Sequence, residues 1–206
     1  MKRILTSMMI FLILIGFTVT AGATSITLKG FDGEVVSYSF VDGPVHLYRS
    51  YAAKFILDID NKSAIGYCVD LYHEINLNVP YSIDGLSSLS AIPYANKAAW
   101  LMDTWNSTIT TKDQYAALQL AIWESIYDTK FTFNPSNDNL GFWYNTYFNS
   151  LGTNSYSGTD YKIAMLAQRG AQNLLVKDTA PVPEPATLLL VGSGLLALAG
   201  FRRKAK

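Results

Sequence analysis

The hydrophobic pattern of this chain changes period once, at Pro80, and that change limits the fold more than any other feature. Before it, short runs alternate apolar and polar residues in the two-residue period of a half-buried strand. Residues 25–30 and 34–41 read as strands separated by Asp32-Gly33, a hairpin-type turn signal. Asp42-Gly43-Pro44 punctuates again, residues 45–51 and 53–59 read as two more strands, and 60–63 as a tight turn. Residues 64–75 then read as a strand with Gly66, Cys68, Asp70 and Tyr72 on one face and Tyr67, Val69, Leu71 and His73 on the other. After Pro80 the spacing becomes helical. Residues 94–105 carry Ala98, Leu101, Met102 and Trp105 at helical steps, and 140–151 follow a loop at 131–139 as a short aromatic-rich helix. Residues 160–176, with Ala164, Ala167, Ala171 and Leu174 on one side, read as a last helix. Strands first and helices second predict an α+β fold: an N-terminal antiparallel β-sheet, barrel-like or sandwich-like, packed with a C-terminal group of helices.

The best-marked helix covers residues 111–128. Thr111 followed by Gln114 forms a capping box, and Asp113 suits the first turn of the helix dipole. Tyr115, Leu118, Ile122 and Ile126 form an apolar stripe, and Gln119 lies on it. A buried amide without partners costs on the order of 1–3 kcal/mol, so Gln119 is either a satisfied core amide or a reactive group.

Two segments are addresses rather than fold. Lys2 and Arg3 precede an apolar run over 4–19, and Ala21-Gly22-Ala23 supplies a small-x-small cleavage site, so residues 1–23 read as a secretory signal peptide. At the other end Pro183-Glu184-Pro185 precedes an apolar run over 186–201 and then Arg202-Arg203-Lys204. Sixteen residues at ~1.5 Å each span roughly 24 Å, a little short of a bilayer core. The basic cluster would stay cytoplasmic. This combination resembles the PEP-CTERM sorting signal, which implies a Gram-negative bacterium, transient anchoring in the inner membrane through 186–201, and recognition by an exosortase. The plainer alternative is a C-terminal membrane anchor. The expected division is signal peptide 1–23, domain 24–178, and linker with sorting signal 179–206.

Between the addresses, residues 24–182 hold ten Lys and Arg against fifteen Asp and Glu, a net charge of −5. Without a basic patch, nucleic acid is not an expected partner. His46 has no companion ligands nearby, so no metal site or cofactor is called for. Cys68 is the single cysteine, which in an exported protein suggests a reactive thiol or an intermolecular bond. Most of the abundant aromatic residues are expected in the core, with Tyr156 in its Gly/Ser/Asn-rich loop the one to expect at a surface contact.

Tyr67-Cys68-Val69-Asp70 and Gln119-Leu120-Ala121-Ile122-Trp123, in that order, resemble the thioester domain of bacterial surface adhesins. The resemblance implies a Cys68–Gln119 thioester, with Ala121, Ile122 and Trp123 completing the second motif. It also implies covalent attachment to an amine-bearing protein or glycan at a surface or matrix, and a binding protein rather than an enzyme. The best-known members are tethered to Gram-positive walls, whereas this tail is of a Gram-negative type. Tyr67 and Trp123 are candidate shields for the bond, with a plain core role as the alternative. Asp70 either orients a proton or caps a loop. Two other readings remain: a non-covalent structural or glycan-binding protein of an extracellular polysaccharide matrix, and a cysteine hydrolase using Cys68, His73 and Asp70. The last is disfavoured because strand alternation puts Cys68 and His73 on opposite faces.

Overall fold

The computed structural model describes residues 23–41, 46–135 and 138–178. The Asp42-Gly43-Pro44 punctuation, the signal peptide up to Gly22 and the tail from residue 179 lie outside the described residues. Two long strands set the shape: β1 (Thr24–Phe40) and β2 (His46–Ile59) pair antiparallel from Ile26↔Ile59 to Phe40↔His46. Asp32-Gly33, expected to be a turn, sits in the middle of β1. A β-carbon at Gly33 would run into the Ala52 carbonyl and Ala53 of β2. Glycine there permits close approach of two curled strands, and the chain does not reverse. A register shift between Leu28 and Gly30 adds twist. The reversal falls at Asp60-Asn61, both at positive φ (51° and 64°), as a two-residue hairpin turn requires.

The next strand, β3 (Lys62–Cys68), ends seven residues earlier than the pattern suggested. After it β4 (Pro80–Ile83) pairs with the far edge of β1, where β5 (Phe131–Thr132) also adds two residues. The expected last helix is absent: β6 (Tyr161–Ala164) and β7 (Leu174–Lys177) stand in its place, joined through a short turn at Ala167–Arg169. The spacing of Ala164, Ala167, Ala171 and Leu174 imitates a helix. Leu174, Leu175 and Val176, however, are consecutive and each 0% exposed, the mark of a strand covered on both faces. The sheet order is β4-β1-β2-β3-β7-β6, so the last two strands close onto the first part of the chain beside Cys68.

Three helices complete the α+β fold against this curled half-barrel sheet. They are α1 (Ala95–Trp105), α2 (Lys112–Tyr127) and α3 (Asn139–Leu151). Both halves of the Thr111/Gln114 capping box form at the start of α2. From Gln114 to Ile126 only Tyr115 and Glu124 escape full burial. A helix covered nearly all round is the centre of a fold and not a one-stripe surface helix. It packs on β1, β2 and β3 and between α1 and α3.

Candidate functional site

Cys68 lies where its strand has lost one neighbour. Pairing with β2 stops at Phe55↔Gly66, while pairing with β7 continues through Cys68↔Leu174. Val69 N–H donates to the Asn173 carbonyl at 3.0 Å. Successive strand residues turn their amides to opposite edges, so Cys68 presents its main-chain groups to the edge that β2 has left. Gln119 fills that place. Cys68 N–H donates to Gln119 Oε1 at 2.8 Å, and Gln119 Nε2 donates to the Cys68 carbonyl at 2.8 Å. The side-chain amide acts as a one-residue strand, which is how a polar group on α2 reaches 0% exposure. With its oxygen on one main-chain group and its nitrogen on the other, the amide carbon faces the Cα that carries the thiol.

The thiol is held by the peptide two residues on. Sγ donates to the Asp70 carbonyl at 2.9 Å and accepts from Asp70 N–H at 3.3 Å. Burial pushes the Cys68 thiol up to about 12; hydrogen bonding from the Asp70 backbone and from Trp123 opposes the rise, and the Asp70 carboxylate adds to it. The Trp123 indole N–H thus lies near enough to favour a charged sulfur, yet it falls short of a formed hydrogen bond and has no partner among the described residues. Tyr38 and Phe131 pack on the indole at ring distances of 5.3 and 5.9 Å. Burial, opposed by the Ser50 hydroxyl, also raises the Tyr38 phenol.

The expected neighbours divide. Trp123 and Asp70 gather at the sulfur. Tyr67 does not, because it belongs to the other face of β3 and donates to Asn106 Oδ1 at 2.9 Å. Ala121 and Ile122 are fully buried. At 100° per residue Ala121 faces away from Gln119, whereas Ile122 lies on an adjoining side. The Asp70 carboxylate caps the loop: Oδ1 accepts from Tyr72 N–H at 2.9 Å, and Oδ2 meets His73 Nδ1 at 2.8 Å and Asn173 N–H at 3.3 Å. Strand alternation therefore does not reach His73, since β3 ends at Cys68 and the chain folds back onto Asp70. The sulfur bonds to the Asp70 peptide rather than to the imidazole.

Tyr127 is a site residue that the pattern did not single out. Its hydroxyl accepts from Leu71 N–H at 3.0 Å and donates to the Val69 carbonyl at 3.3 Å, pinning the chain on both sides of Asp70. Its signal was its place two turns after Gln119 on the same helix. Nothing in the sequence pointed to Tyr38 or Asn173. Outside the pinned segment lies a cleft of about 550 Å³ lined by Val69, Asp70, Tyr72, His73, Tyr94 and Tyr127 among others, but not by Cys68 or Gln119. Tyr156, expected at a surface contact, packs edge-on against Tyr161 at 4.9 Å.

The PEP-CTERM protein-sorting motif matches residues 181–204, which include Pro183, Glu184 and Pro185. It marks an exported protein sorted by an exosortase and held at the membrane transiently. The motif and the apolar run over 186–201 lie outside the described residues. Among the described residues no helix is long and apolar enough to cross a membrane. Neither a curated protein nor a solved structure matches the chain.

Proposed function

We propose that this protein works at the cell surface or in the extracellular matrix, attaching covalently to an amine-bearing protein or glycan through a Cys68–Gln119 thioester. The observation that carries the reading is the pair of 2.8 Å bonds that clamp the Gln119 amide across Cys68 in a dry site. In the closing step the sulfur bonds to the Gln119 side-chain carbon, the carbon–nitrogen bond breaks, and the thiol proton leaves with the nitrogen as ammonia. Moving the thiol from 9.0 to about 12 makes the thiolate harder to form by about 4 kcal/mol. Proximity is worth ~7–11 kcal/mol to groups brought into attack geometry, more than that penalty. Loss of Nε2 leaves the Cys68 carbonyl without its donor, a further cost of about 1–3 kcal/mol. Each molecule would react with one partner, so the protein is a binder and not an enzyme.

Intact mass tests this. The mature protein is expected to be lighter than calculated by one ammonia, methylamine is expected to add one equivalent and release the thiol, and Cys68→Ala is expected to show no deficit. A full calculated mass with a free Cys68 would sink the reading. Alkylation of the native protein does not discriminate, because a thiol 1% exposed is silent with or without the bond.

A second reading, a non-covalent structural or glycan-binding protein of a polysaccharide matrix, has its own support. The Cys68 main chain already satisfies Gln119, and the 550 Å³ cleft carries Tyr72 and Tyr94 at 54% and 55% exposure, rings suited to the flat face of a sugar. Retention of partner binding by Cys68→Ala would favour it.

A further inference from the structure

Trp123 is among the largest fully buried side chains, and its indole N–H is a buried donor without a partner among the described residues. Such a donor costs about 1–3 kcal/mol, which a protein normally recovers by moving the ring or supplying an acceptor. Here the ring is fixed between Tyr38 and Phe131. It lies four residues from Gln119, on the same side of α2. It lies near the Cys68 sulfur, which is already engaged by both main-chain groups of Asp70.

We infer that the Trp123 indole N–H is the hydrogen-bond donor that receives negative charge on the Cys68 sulfur when the thioester opens. This rests on the thioester reading above. In the opening step an amine nitrogen bonds to the Gln119 acyl carbon, the carbon–sulfur bond breaks, and its electron pair stays on the sulfur. A proton from the amine nitrogen ends on that sulfur, giving an amide and a thiol. As long as the sulfur is in a thioester it carries little charge and is a poor acceptor, so the indole N–H goes unused. As the bond breaks, the sulfur becomes a strong acceptor within reach of two fixed donors, Asp70 N–H and Trp123 Nε1–H. A donor idle in the ground state and used in the transition state lowers the barrier, whereas one used equally in both does not. In so dry a site, a departing thiolate without such donors would be a poor leaving group.

The test replaces Trp123 in the full-length exported protein with β-(3-benzothienyl)alanine, which keeps the ring shape and removes only the N–H. Trp123→5-fluorotryptophan, whose N–H is more acidic, is the companion variant. Intact mass reports the ammonia deficit, and the time course of methylamine addition, followed by mass, gives the opening rate. The expected result is a retained deficit, opening slowed roughly 10–100-fold without the donor, and opening faster than wild type with the fluorinated ring. Opening at the wild-type rate without the N–H overturns the inference. So does equal slowing by both replacements, which would mark a packing effect. A wild-type protein with no ammonia deficit overturns the thioester reading itself, and the mass shows this before any rate is measured.

Discussion

Gln119 and Cys68 touch each other through unequal parts. Gln119 contributes its side chain to the contact, whereas Cys68 contributes its main chain, which every substitution but proline keeps. Gln119→Leu leaves a buried N–H and a buried C=O without partners, and each orphan costs about 1–3 kcal/mol. Cys68→Ala keeps the clamp and removes one buried sulfur, at a cost of about 1 kcal/mol. Neither variant can form a thioester, so their difference isolates the clamp. Urea denaturation is expected to place Gln119→Leu at least ~1 kcal/mol below Cys68→Ala. Equal midpoints would mean that another group takes over the Cys68 main chain. The oddity of both residues was visible in the sequence, because a lone cysteine and a glutamine on an apolar stripe are each exceptions to local rules. The clamp was not, since it depends on where β2 stops pairing.

At the scale of elements, a thioester would join β3 to α2 across 51 residues. A cross-link closing a loop of that length restricts the unfolded chain by about 4 kcal/mol. Methylamine-opened protein is therefore expected to keep its native circular dichroism but lose about 4 kcal/mol of stability, read as a lower denaturation midpoint; an unchanged midpoint would argue against a cross-link between these elements. Local signals identified the elements correctly wherever the structure is local: the capping box of α2, the helices at 95–105 and 139–151, and the Asp60-Asn61 turn. They failed where pairing partners decide. Gly33 reads as a turn until Ala52 and Ala53 lie against it, and residues 174–176 read as helix until β3 and β6 take them up on both sides. Tyr38 and Asn173 come to the site only through that long-range pairing.

For the whole molecule, the charge on Glu124 matters more than its position on α2 suggests. Burial, and then the neighbouring Asp128, raise its carboxyl from 4.5 to about 7, and Oε2 has no hydrogen-bond partner among the described residues. The folded protein thus holds this proton more tightly than the unfolded chain does. Stability from this group is present below pH 4.5 and is lost as pH rises through about 7. Glu124→Gln is expected to flatten that decline and to stabilise the protein at pH 8 by on the order of 1–2 kcal/mol, after discounting for the solvent that reaches the group. Thermal melts across this pH range check it, and parallel profiles for the two proteins would refute it. The placement of β7 has a mechanical consequence. Its four residues are flanked by β3 on one side and β6 on the other, both antiparallel, and the chain toward the sorting motif leaves from its end. Tension arriving from that side loads two rows of hydrogen bonds in shear, all at once, instead of peeling them one by one. The pull enters the domain on the strand next to Cys68, so the anchored end and the proposed attachment point belong to the same tightly stitched part of the sheet.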